Sequence, residues 1–545
     1  MRNRLTNSVS GSLRRPVFLV AITAFLTALI VQPGDVGSID TARRLQVTHS
    51  LWTSAAPYGP TDDPAFGIPG RNGRLYAGYG IGQSLLMLPS DLVGTILISR
   101  LPGLSPRSSS LSKVFVSYTL SPLICTLAVL TSCWFLFRLG FTMSRAIAGT
   151  LTLLFATTFL HYSQNMMENN FLLLFTLAGF SFQYAWLQTQ STGWLLLGAF
   201  AFGFNLLIRL TTALDIVAGA LFVFLYVWLR GIRGTRLSQI LRRYLALCLP
   251  CYLLFVFLDR LYNYHRFGSW LGTYLRIAVE HYKATHPEVP SGFPWSTPFW
   301  RGLLGPVITP EKSIFLFDPM LIVVVIMAVV GWKSLEPKVK AYLLSMTVLL
   351  LMYICFYANL TFWSGDVAWG DRYITTPVQL LALLSVPLLL QRRRELPRIV
   401  WKLGIAILVV SIIVQVSSVA LWYPLEFCQM KTIHGHTFVI GLRLKNIVAL
   451  VLGTVDEWHL RNSYTLAYGY RCTTPNLFPF LLRKLTAAPK WFTDTVMILW
   501  SSLFPMLAWT LYRLTSQLRV KRKQSRRVER SSGSPTPVAI GLMRF

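Results

Sequence analysis

The chain has few charged residues, and acidic residues are scarcer than basic ones. Only 13% of its 545 residues are charged, about half the share in an average soluble domain. Mean hydropathy is +0.51, and apolar runs of roughly 18–22 residues recur, which is the length a helix needs to cross a bilayer. This composition excludes a soluble globular protein. It predicts an all-α polytopic membrane protein, because a helix satisfies its own backbone hydrogen bonds in lipid.

Basic residues outnumber acidic ones by 51 to 21, so the formal net charge is +30. A nucleic-acid partner does not explain this excess, because the basic residues cluster between apolar runs, as expected of cytoplasmic loops. Placing every basic cluster inside predicts about twelve transmembrane helices with both termini cytoplasmic. The predicted spans are residues 16–32, 113–136, 143–160, 169–188, 192–210, 212–230, 244–260, 313–331, 341–359, 374–391, 400–421 and 491–512.

The same topology divides the chain into segments. We expect a cytoplasmic N-terminus (1–15), a transmembrane module (16–421) with external loops 33–112, 261–312 and 360–373, a further external loop (422–490), a last span (491–512) and a basic cytoplasmic tail (513–545) predicted to be disordered. Fifteen of the 21 acidic residues then fall outside or at external edges. One more apolar run, 81–99, is interpreted as a helix in the outer leaflet, because a span there would place Arg138 and Arg145 outside. Whether it crosses the membrane stays open.

Cysteine is also scarce, with seven residues, five of them in or beside predicted spans as small apolar fillers. Cys428 and Cys472 share the external loop 422–490. An oxidising compartment would allow a disulfide between them, and two reduced cysteines are the alternative.

Asp40 follows the first span, in a segment that runs from Gly34 to Arg44. Carboxylates near a bilayer are costly and often mark function. In a helix that starts near Ser38, Asp40 and Arg44 would share a face. Asp40 could serve only to stabilise the first turn of that helix, or it could be a general base at the membrane surface. Spacing alone leaves both interpretations open.

Three further segments combine polar and aromatic residues. Residues 73–84 are rich in Gly and Tyr, and this segment is either a turn or a surface for a sugar or lipid. Glu168 lies in the polar segment 161–170, predicted to be a loop between two spans. Arg209 interrupts an apolar stretch, either as a snorkelling anchor or as a ligand for phosphate. Segment 363–373 places two carboxylates, one Arg and three aromatics in a short external loop.

In this order the segments resemble the GT-C superfamily of membrane glycosyltransferases that use polyprenyl-phosphate sugars. They are most similar to the group of dolichyl-phosphate-mannose protein mannosyltransferases and aminoarabinose transferases. The resemblance rests on five short motifs. They are the Asp-to-Arg helix at 40–44, the stretch from Gly82 to Pro89, the acidic segment around Glu168, the run from Asn263 to Ser269, and Trp369 to Tyr373. Thr41 and Asp371 depart from the residues that are common in this group, which leaves the subgroup open.

The resemblance implies a role for several residues. It implies that sugar moves, with inversion, from a polyprenyl-phosphate carrier to a glycan, lipid or protein acceptor on the extracytoplasmic face. Asp40 would be the base with Asp35 in reserve, and Glu168 would assist or shape the acceptor site. The candidates for the phosphate of the sugar donor are Arg372, Arg209 and Lys312. The candidates for substrate contact are Tyr76, Tyr79, Gln83, Asp366, Trp369 and Tyr373. No cofactor is required, and a divalent metal is not favoured because the acidic motifs of the metal-dependent oligosaccharyltransferases are not recognisable.

Two other functions stay open. A transporter or flippase for a lipid-linked sugar would suit twelve spans and an intramembrane Arg209, although the sequence shows no internal repeat. A polysaccharide ligase or polymerase with a polyprenyl-diphosphate donor would suit the late external loop 422–490. The sequence does not reveal the sugar, the acceptor, the carrier length or the oligomeric state.

Overall fold

The structure, a computed structural model, describes residues 2–59, 67–101, 108–286, 288–430, 438–455, 469–485 and 488–531. These residues are predominantly helical, and their only two strands, β1 (Ile68–Pro69) and β2 (Leu75–Tyr76), pair antiparallel. The all-α prediction is confirmed. The helices are α1 (Arg2–Val31), α2 (Ile39–Ser50), α3 (Gly82–Ser99), α4 (Ser108–Arg138), α5 (Met143–Ala156), α6 (Phe159–Asn165), α7 (Asn169–Thr189), α8 (Thr192–Ile208), α9 (Ala213–Leu229), α10 (Gly234–Phe267), α11 (Tyr274–Thr285), α12 (Phe299–Ile308), α13 (Ile314–Phe317), α14 (Met320–Gly331), α15 (Pro337–Tyr357), α16 (Thr375–Ala382), α17 (Ser385–Gln391), α18 (Arg398–Ser418), α19 (Leu425–Met430), α20 (Val439–Leu452), α21 (Gly469–Cys472), α22 (Phe478–Leu485) and α23 (Lys490–Ser531).

Apolar helices occupy every predicted span. Among the described residues, eight helices are long and apolar enough to cross a membrane, and the bent pair α5–α6 makes a ninth. Four shorter apolar helices cover Arg15–Val31, Thr192–Ile208, Met320–Ser334 and Thr375–Gln391. Each of the twelve predicted spans overlaps one of these helices. The chain is an integral membrane protein, while the side of the membrane on which each loop lies stays a prediction.

Helix α3 coincides with the apolar run interpreted as an outer-leaflet helix. By length and composition alone it could cross a membrane. Its first turn contacts the turn between α6 and α7, where Gln83 donates a hydrogen bond to the Met166 carbonyl at 2.8 Å. It then runs back along the first part of α4, where Thr119 donates to Ser90 at 3.0 Å. The outer-leaflet position stays a prediction.

The polar segment 161–170 differs from its prediction, because it is largely helical. Residues 159–165 form α6, which is buried throughout and is bent by 54° from α5. Asp318 accepts hydrogen bonds from the Thr158 backbone N–H at 2.7 Å and from its hydroxyl at 3.0 Å. A break in a helix leaves backbone groups without partners, and within an apolar bundle such groups are costly. The Asp318 carboxylate supplies an acceptor at this break.

Part of the loop 422–490 packs against α18, through helix α20. Arg443 is fully buried and donates hydrogen bonds to the carbonyls of Leu421 and Trp422 and to the Glu426 carboxylate. Cys428 and Cys472 contribute to one apolar cluster beside this network. The disulfide between them stays a prediction.

The tail predicted to be disordered is helical where the structure describes it. Helix α23 continues from the last predicted span to Ser531. Residues 532–545 lie outside the described residues.

Candidate active site

Asp40 lies in the first turn of α2, as the sequence predicted. The Ser38 side chain caps this helix by accepting a hydrogen bond from the Thr41 backbone N–H at 3.1 Å. The Thr41 hydroxyl donates to the Met166 carbonyl at 3.1 Å and so ties the helix start to the α6–α7 turn. A carboxylate in a first turn is favoured by the helix dipole. The backbone around Asp40 is therefore held from two sides.

Each oxygen of the Asp40 carboxylate accepts a hydrogen bond. Oδ2 accepts from an Arg372 guanidinium nitrogen at 2.7 Å, and Oδ1 accepts from the Tyr79 hydroxyl at 2.6 Å. Burial by itself would raise the pKa of Asp40, but the positive charges of Arg372 and Arg44 outweigh it and hold that pKa below its ordinary value. Asp40 is thus ionised at neutral pH.

A cavity of about 280 Å³ opens beside this ion pair. Its walls include Asp40 and Arg43 from α2, Tyr79, residues 365–368 and 372, and Tyr423. Five segments of the chain meet here, namely residues 38–43, 79, 167, 365–372 and 423. The cavity has room for a sugar-sized group and carries both a carboxylate and guanidinium groups.

Lys312 holds the loop that carries Arg372. Its ammonium group donates to the carbonyls of Asp366 at 2.6 Å, Ala368 at 2.7 Å and Gly370 at 3.1 Å. An ammonium group has three N–H donors, so these bonds use all of them. The predicted phosphate ligand Lys312 therefore has no N–H left for a phosphate in this structure and acts on the loop.

The backbone of this loop is unusual at Asp366, which has a φ of 59°. Left-handed backbone is uncommon for residues other than glycine and is costly unless the surroundings impose it. The preceding Gly365 has a φ of 74°, and a Cβ there would stand 2.9 Å from the Arg372 backbone nitrogen. Asp366 and the neighbouring residues of this tight turn line the cavity.

Glu168 is buried between two arginines. Its carboxylate pairs with Arg44 at 2.8 Å and forms a short hydrogen bond with Arg209. Burial opposes ionisation of Glu168, but the charges of Arg44 and Arg209 outweigh it and hold its pKa well below the ordinary value. Arg44 also lies over the Tyr79 ring at 4.2 Å, and Arg209 lies over the Tyr373 ring at 5.3 Å. Glu168 thus neutralises and orients these two arginines.

Asp35, the reserve base, lies in a different cluster. It pairs with Arg471 of α21 at 2.7 Å and with Lys113 of α4 at 3.9 Å. It is not among the residues that line the Asp40 cavity. Its contacts connect the first loop to α21, so the structure favours Asp40 as the catalytic candidate.

The six predicted substrate contacts separate into two groups. Tyr79 and Asp366 line the cavity, as described above. The other four lie elsewhere: Gln83 binds the Met166 carbonyl, Trp369 is fully buried beneath its loop, Tyr373 stacks on Tyr357 at 4.4 Å, and Tyr76 lines a separate cavity with Arg266.

The sequence analysis assigned no role to three residues that shape the site. Arg43 and Tyr423 line the cavity. Arg266 donates to the carbonyls of Ala77 at 2.7 Å and Tyr79 at 3.0 Å, so it fixes the bend that carries Tyr79. The signal for Arg266 was present in the motif from Asn263 to Ser269. Tyr423 had no such signal, because its place in the site depends on how loop 422–490 packs.

The cations that face Asp40 are arginines. Within the ranges that the structure describes, no group of three or more His, Cys, Asp or Glu side chains is placed to hold a metal ion. The polar side chains that line the cavity are carboxylate, guanidinium, phenol and hydroxyl groups.

No family model matches the chain. No curated protein matches it either. Among solved structures, it is similar to the oligosaccharyltransferase AglB of Archaeoglobus fulgidus, in complex with an inhibitory peptide and a dolichol-phosphate, with 13% identity, a TM-score of 0.43 and coverage of 73% of this chain and 56% of that one. It is also similar to apo ArnT of Cupriavidus metallidurans, with 15% identity, a TM-score of 0.42 and coverage of 92% and 76%. ArnT bound to undecaprenyl phosphate gives a TM-score of 0.37 at 14% identity and the same coverage.

The chain spans about half the length of the oligosaccharyltransferase structures that it matches. Similarity at this level does not by itself assign an activity or a substrate.

Proposed function

We propose that this protein is an inverting glycosyltransferase that moves a sugar from a polyprenyl-phosphate carrier to an extracytoplasmic acceptor. The observation that carries the proposal is the contact of Asp40 with Arg372 at 2.7 Å beside a cavity of about 280 Å³. These are the base and the cation that the sequence motifs nominated independently. Transfer from a sugar phosphate needs both, one for the attacking hydroxyl and one for the leaving phosphate.

The proposed reaction is a single displacement. The acceptor hydroxyl transfers its proton to Asp40 while its oxygen bonds to the anomeric carbon. The bond from that carbon to the phosphate oxygen breaks, and its electron pair stays on the phosphate. Arg372 stabilises the charge that develops there. Attack from the face opposite the phosphate inverts the anomeric configuration. A phosphate leaves without protonation, so one essential carboxylate is enough.

The surroundings of the site suit an anionic sugar donor. Arg43 lines the same cavity as Arg372 and is our second candidate for the phosphate. Arg209, nominated from the sequence, is 8% exposed and paired with Glu168. We propose that Arg209 acts on the site indirectly, by fixing the aromatic ring of Tyr373 beside Arg372.

A transfer assay with purified protein tests the proposal. The assay offers radiolabelled polyprenyl-phosphate sugars with crude envelope acceptors to the wild type and to Asp40→Asn. We expect transfer by the wild type and a loss of roughly 10²–10⁴-fold in the variant, the usual contribution of a general base. Glu280→Gln is the matched control, since this carboxylate lies on α11 with a side chain that is 61% exposed.

Three results would change the proposal. Full activity of Asp40→Asn would remove Asp40 as the base, and Asp35→Asn and Glu168→Gln would then be assayed. Transfer from a polyprenyl diphosphate alone would favour a ligase or polymerase, an alternative supported by the contribution of Tyr423 from loop 422–490 to the cavity. Absence of transfer by folded wild type from either donor would favour a transporter.

A further inference from the structure

In the proposed reaction Arg372 interacts with two groups, the Asp40 carboxylate and the phosphate of the sugar donor. In the structure one of its nitrogens serves Asp40 at 2.7 Å. Its Nε–H is buried and has no hydrogen-bond partner among the described residues. A buried N–H without a partner is uncommon and calls for a ligand or a water. The guanidinium therefore serves the base in the resting state and still has a donor for a further group.

A phosphate is the better partner for this guanidinium. Two parallel N–H···O bonds match a phosphate to the planar fork of an arginine, whereas the Asp40 carboxylate holds it here through one nitrogen. A sugar donor that enters the cavity meets Arg372 and Asp40 together and competes with Asp40 for the same positive charge.

Tyr79 holds Asp40 independently of Arg372. Its hydroxyl donates to Oδ1 at 2.6 Å. Arg44 lies over its ring at 4.2 Å, and Arg266 holds its carbonyl at 3.0 Å. These contacts do not involve Arg372, so they persist if Arg372 turns to another partner.

We propose that Tyr79 is a positioning residue that holds the Asp40 carboxylate in place while Arg372 exchanges its ion pair with Asp40 for one with the phosphate of the sugar donor. This exchange couples the two substrates: the sugar donor binds first and frees one oxygen of Asp40, and the acceptor hydroxyl then takes that place. The inference rests on the proposed function and adds an order of binding to it.

The electrostatics of Asp40 support the exchange. Burial raises the pKa of Asp40, and the charge of Arg372 is the largest influence that lowers it. A phosphate that neutralises Arg372 removes much of that influence. The pKa of Asp40 then rises and the carboxylate becomes a stronger base at the moment when the sugar donor is in place.

Binding of undecaprenyl phosphate to purified protein tests the exchange. Asp40→Asn removes the competitor for Arg372, so we expect it to bind this probe several-fold more tightly than the wild type. Asp366→Asn is the matched control, because it removes one charge from the same cavity wall without pairing with Arg372. We expect its affinity to change less. Thermal unfolding with and without the probe is a second measurement, and the probe should raise Tm more in Asp40→Asn than in the wild type.

Tyr79→Phe tests the positioning role separately. This variant loses a hydrogen bond to a charged group, so we expect its kcat to fall about tenfold. We expect its KM for the sugar donor and its affinity for undecaprenyl phosphate to stay unchanged. Tyr76→Phe, on the neighbouring strand, is the control.

Asp40→Asn that binds no more tightly than the wild type, or no more tightly than Asp366→Asn, would overturn the exchange while leaving the proposed function standing. Parallel losses of kcat, probe affinity and thermal stability in Tyr79→Phe would overturn the positioning role. A wild type that neither binds undecaprenyl phosphate nor transfers sugar would overturn the proposed function and this inference with it.

Discussion

Two opposing influences act on the Asp40 carboxyl group. Burial favours its protonated form, whereas Arg372, Arg44 and the Tyr79 hydroxyl favour its ionised form. The negative charge of Glu168 opposes ionisation of Asp40, but Glu168 is itself paired with two arginines. The balance lowers the pKa of Asp40 in the free protein, and it depends on which group Arg372 contacts.

This balance predicts that kcat/KM and kcat fall at different pH values on the acidic side of their pH profiles. Activity that needs ionised Asp40 is present above its pKa and lost as pH falls through it. We expect the acidic limb of kcat/KM, which reports the free enzyme, at a pH below the ordinary range for Asp. The limb of kcat, which reports the complex with substrate, should lie at higher pH because the phosphate has taken over Arg372. Rate profiles at saturating and low concentrations of the sugar donor measure both.

The variant Tyr79→Phe gives a second test of this prediction. Loss of the Tyr79 hydrogen bond removes a group that favours ionised Asp40, so the limb of kcat/KM should move to higher pH in this variant. Coincident limbs for kcat/KM and kcat in the wild type would contradict the exchange of Arg372.

Glu168 gives a second prediction at this scale. Glu168→Gln leaves Arg44 and Arg209 buried without their counter-charge, and breaking a buried pair in this way costs about 3–5 kcal/mol. We expect a large fall in the thermal unfolding temperature in detergent. Glu336→Gln is the control, because its pair with Lys338 has a carboxylate that is 57% exposed and such pairs contribute about 0–1 kcal/mol. Equal effects of the two variants would argue against a buried charge at Glu168.

At the scale of elements, the break between α5 and α6 creates the site. A straight helix would carry residues 159–165 in line with α5, whereas α6 is bent by 54° from α5. Gln164 then donates hydrogen bonds to the carbonyls of Val31, Val419 and Asn476. The α6–α7 turn that follows supports α2 and presents Glu168 to its arginines. The geometry of the Asp40 cavity depends on this break.

The break should depend on the acceptor oxygen of Asp318. Asp318→Ala leaves the buried Thr158 N–H without an acceptor, which costs about 1–3 kcal/mol. Asp318→Asn keeps a carbonyl oxygen for that N–H, so it should be the milder change. Unfolding temperatures of both variants in the same detergent measure the difference. Both variants remove the negative charge of Asp318, but only Asp318→Ala removes the acceptor oxygen. Equal destabilisation by the two variants would therefore show that the charge, and not the hydrogen bond to Thr158, stabilises the break.

At the scale of the whole molecule, the predicted topology places the Asp40 cavity on the extracytoplasmic side. All five chain segments that line the cavity belong to predicted external loops or their edges. The spans agree with the helices of the structure, but sidedness depends on the charge distribution of the loops. Two topologies are possible, one with α3 in the outer leaflet and one with α3 crossing the membrane.

Single cysteines introduced into a cysteine-free background test this topology. A membrane-impermeant maleimide should label Glu280→Cys in intact cells and Glu395→Cys only after permeabilisation, since both side chains are more than 60% exposed. Ser99→Cys should label in intact cells if α3 lies in the outer leaflet. Labelling of Ser99→Cys only after permeabilisation would show that α3 crosses the membrane and would overturn the predicted topology.

By itself the sequence determined the class of the protein, the places of its spans and the start of the helix that carries Asp40. These features depend on the length of an apolar run or on a cap within a few residues of it, so they can be predicted from neighbours in the chain. The motif from Trp369 to Tyr373 contains Arg372, which contacts Asp40 in the structure, while its role toward the phosphate stays a prediction.

Only the tertiary structure decided which charged groups meet. Arg372 reaches Asp40 across 332 positions of sequence, and Asp35 pairs with Arg471 across 436. Sequence patterns identify each charge but not its partner, because pairing depends on where distant segments pack. The same reason explains Lys312, whose three N–H donors are taken by loop carbonyls. It also explains α6, where Tyr162 donates to the Trp369 carbonyl and Gln164 to the Val31 carbonyl, both on distant segments.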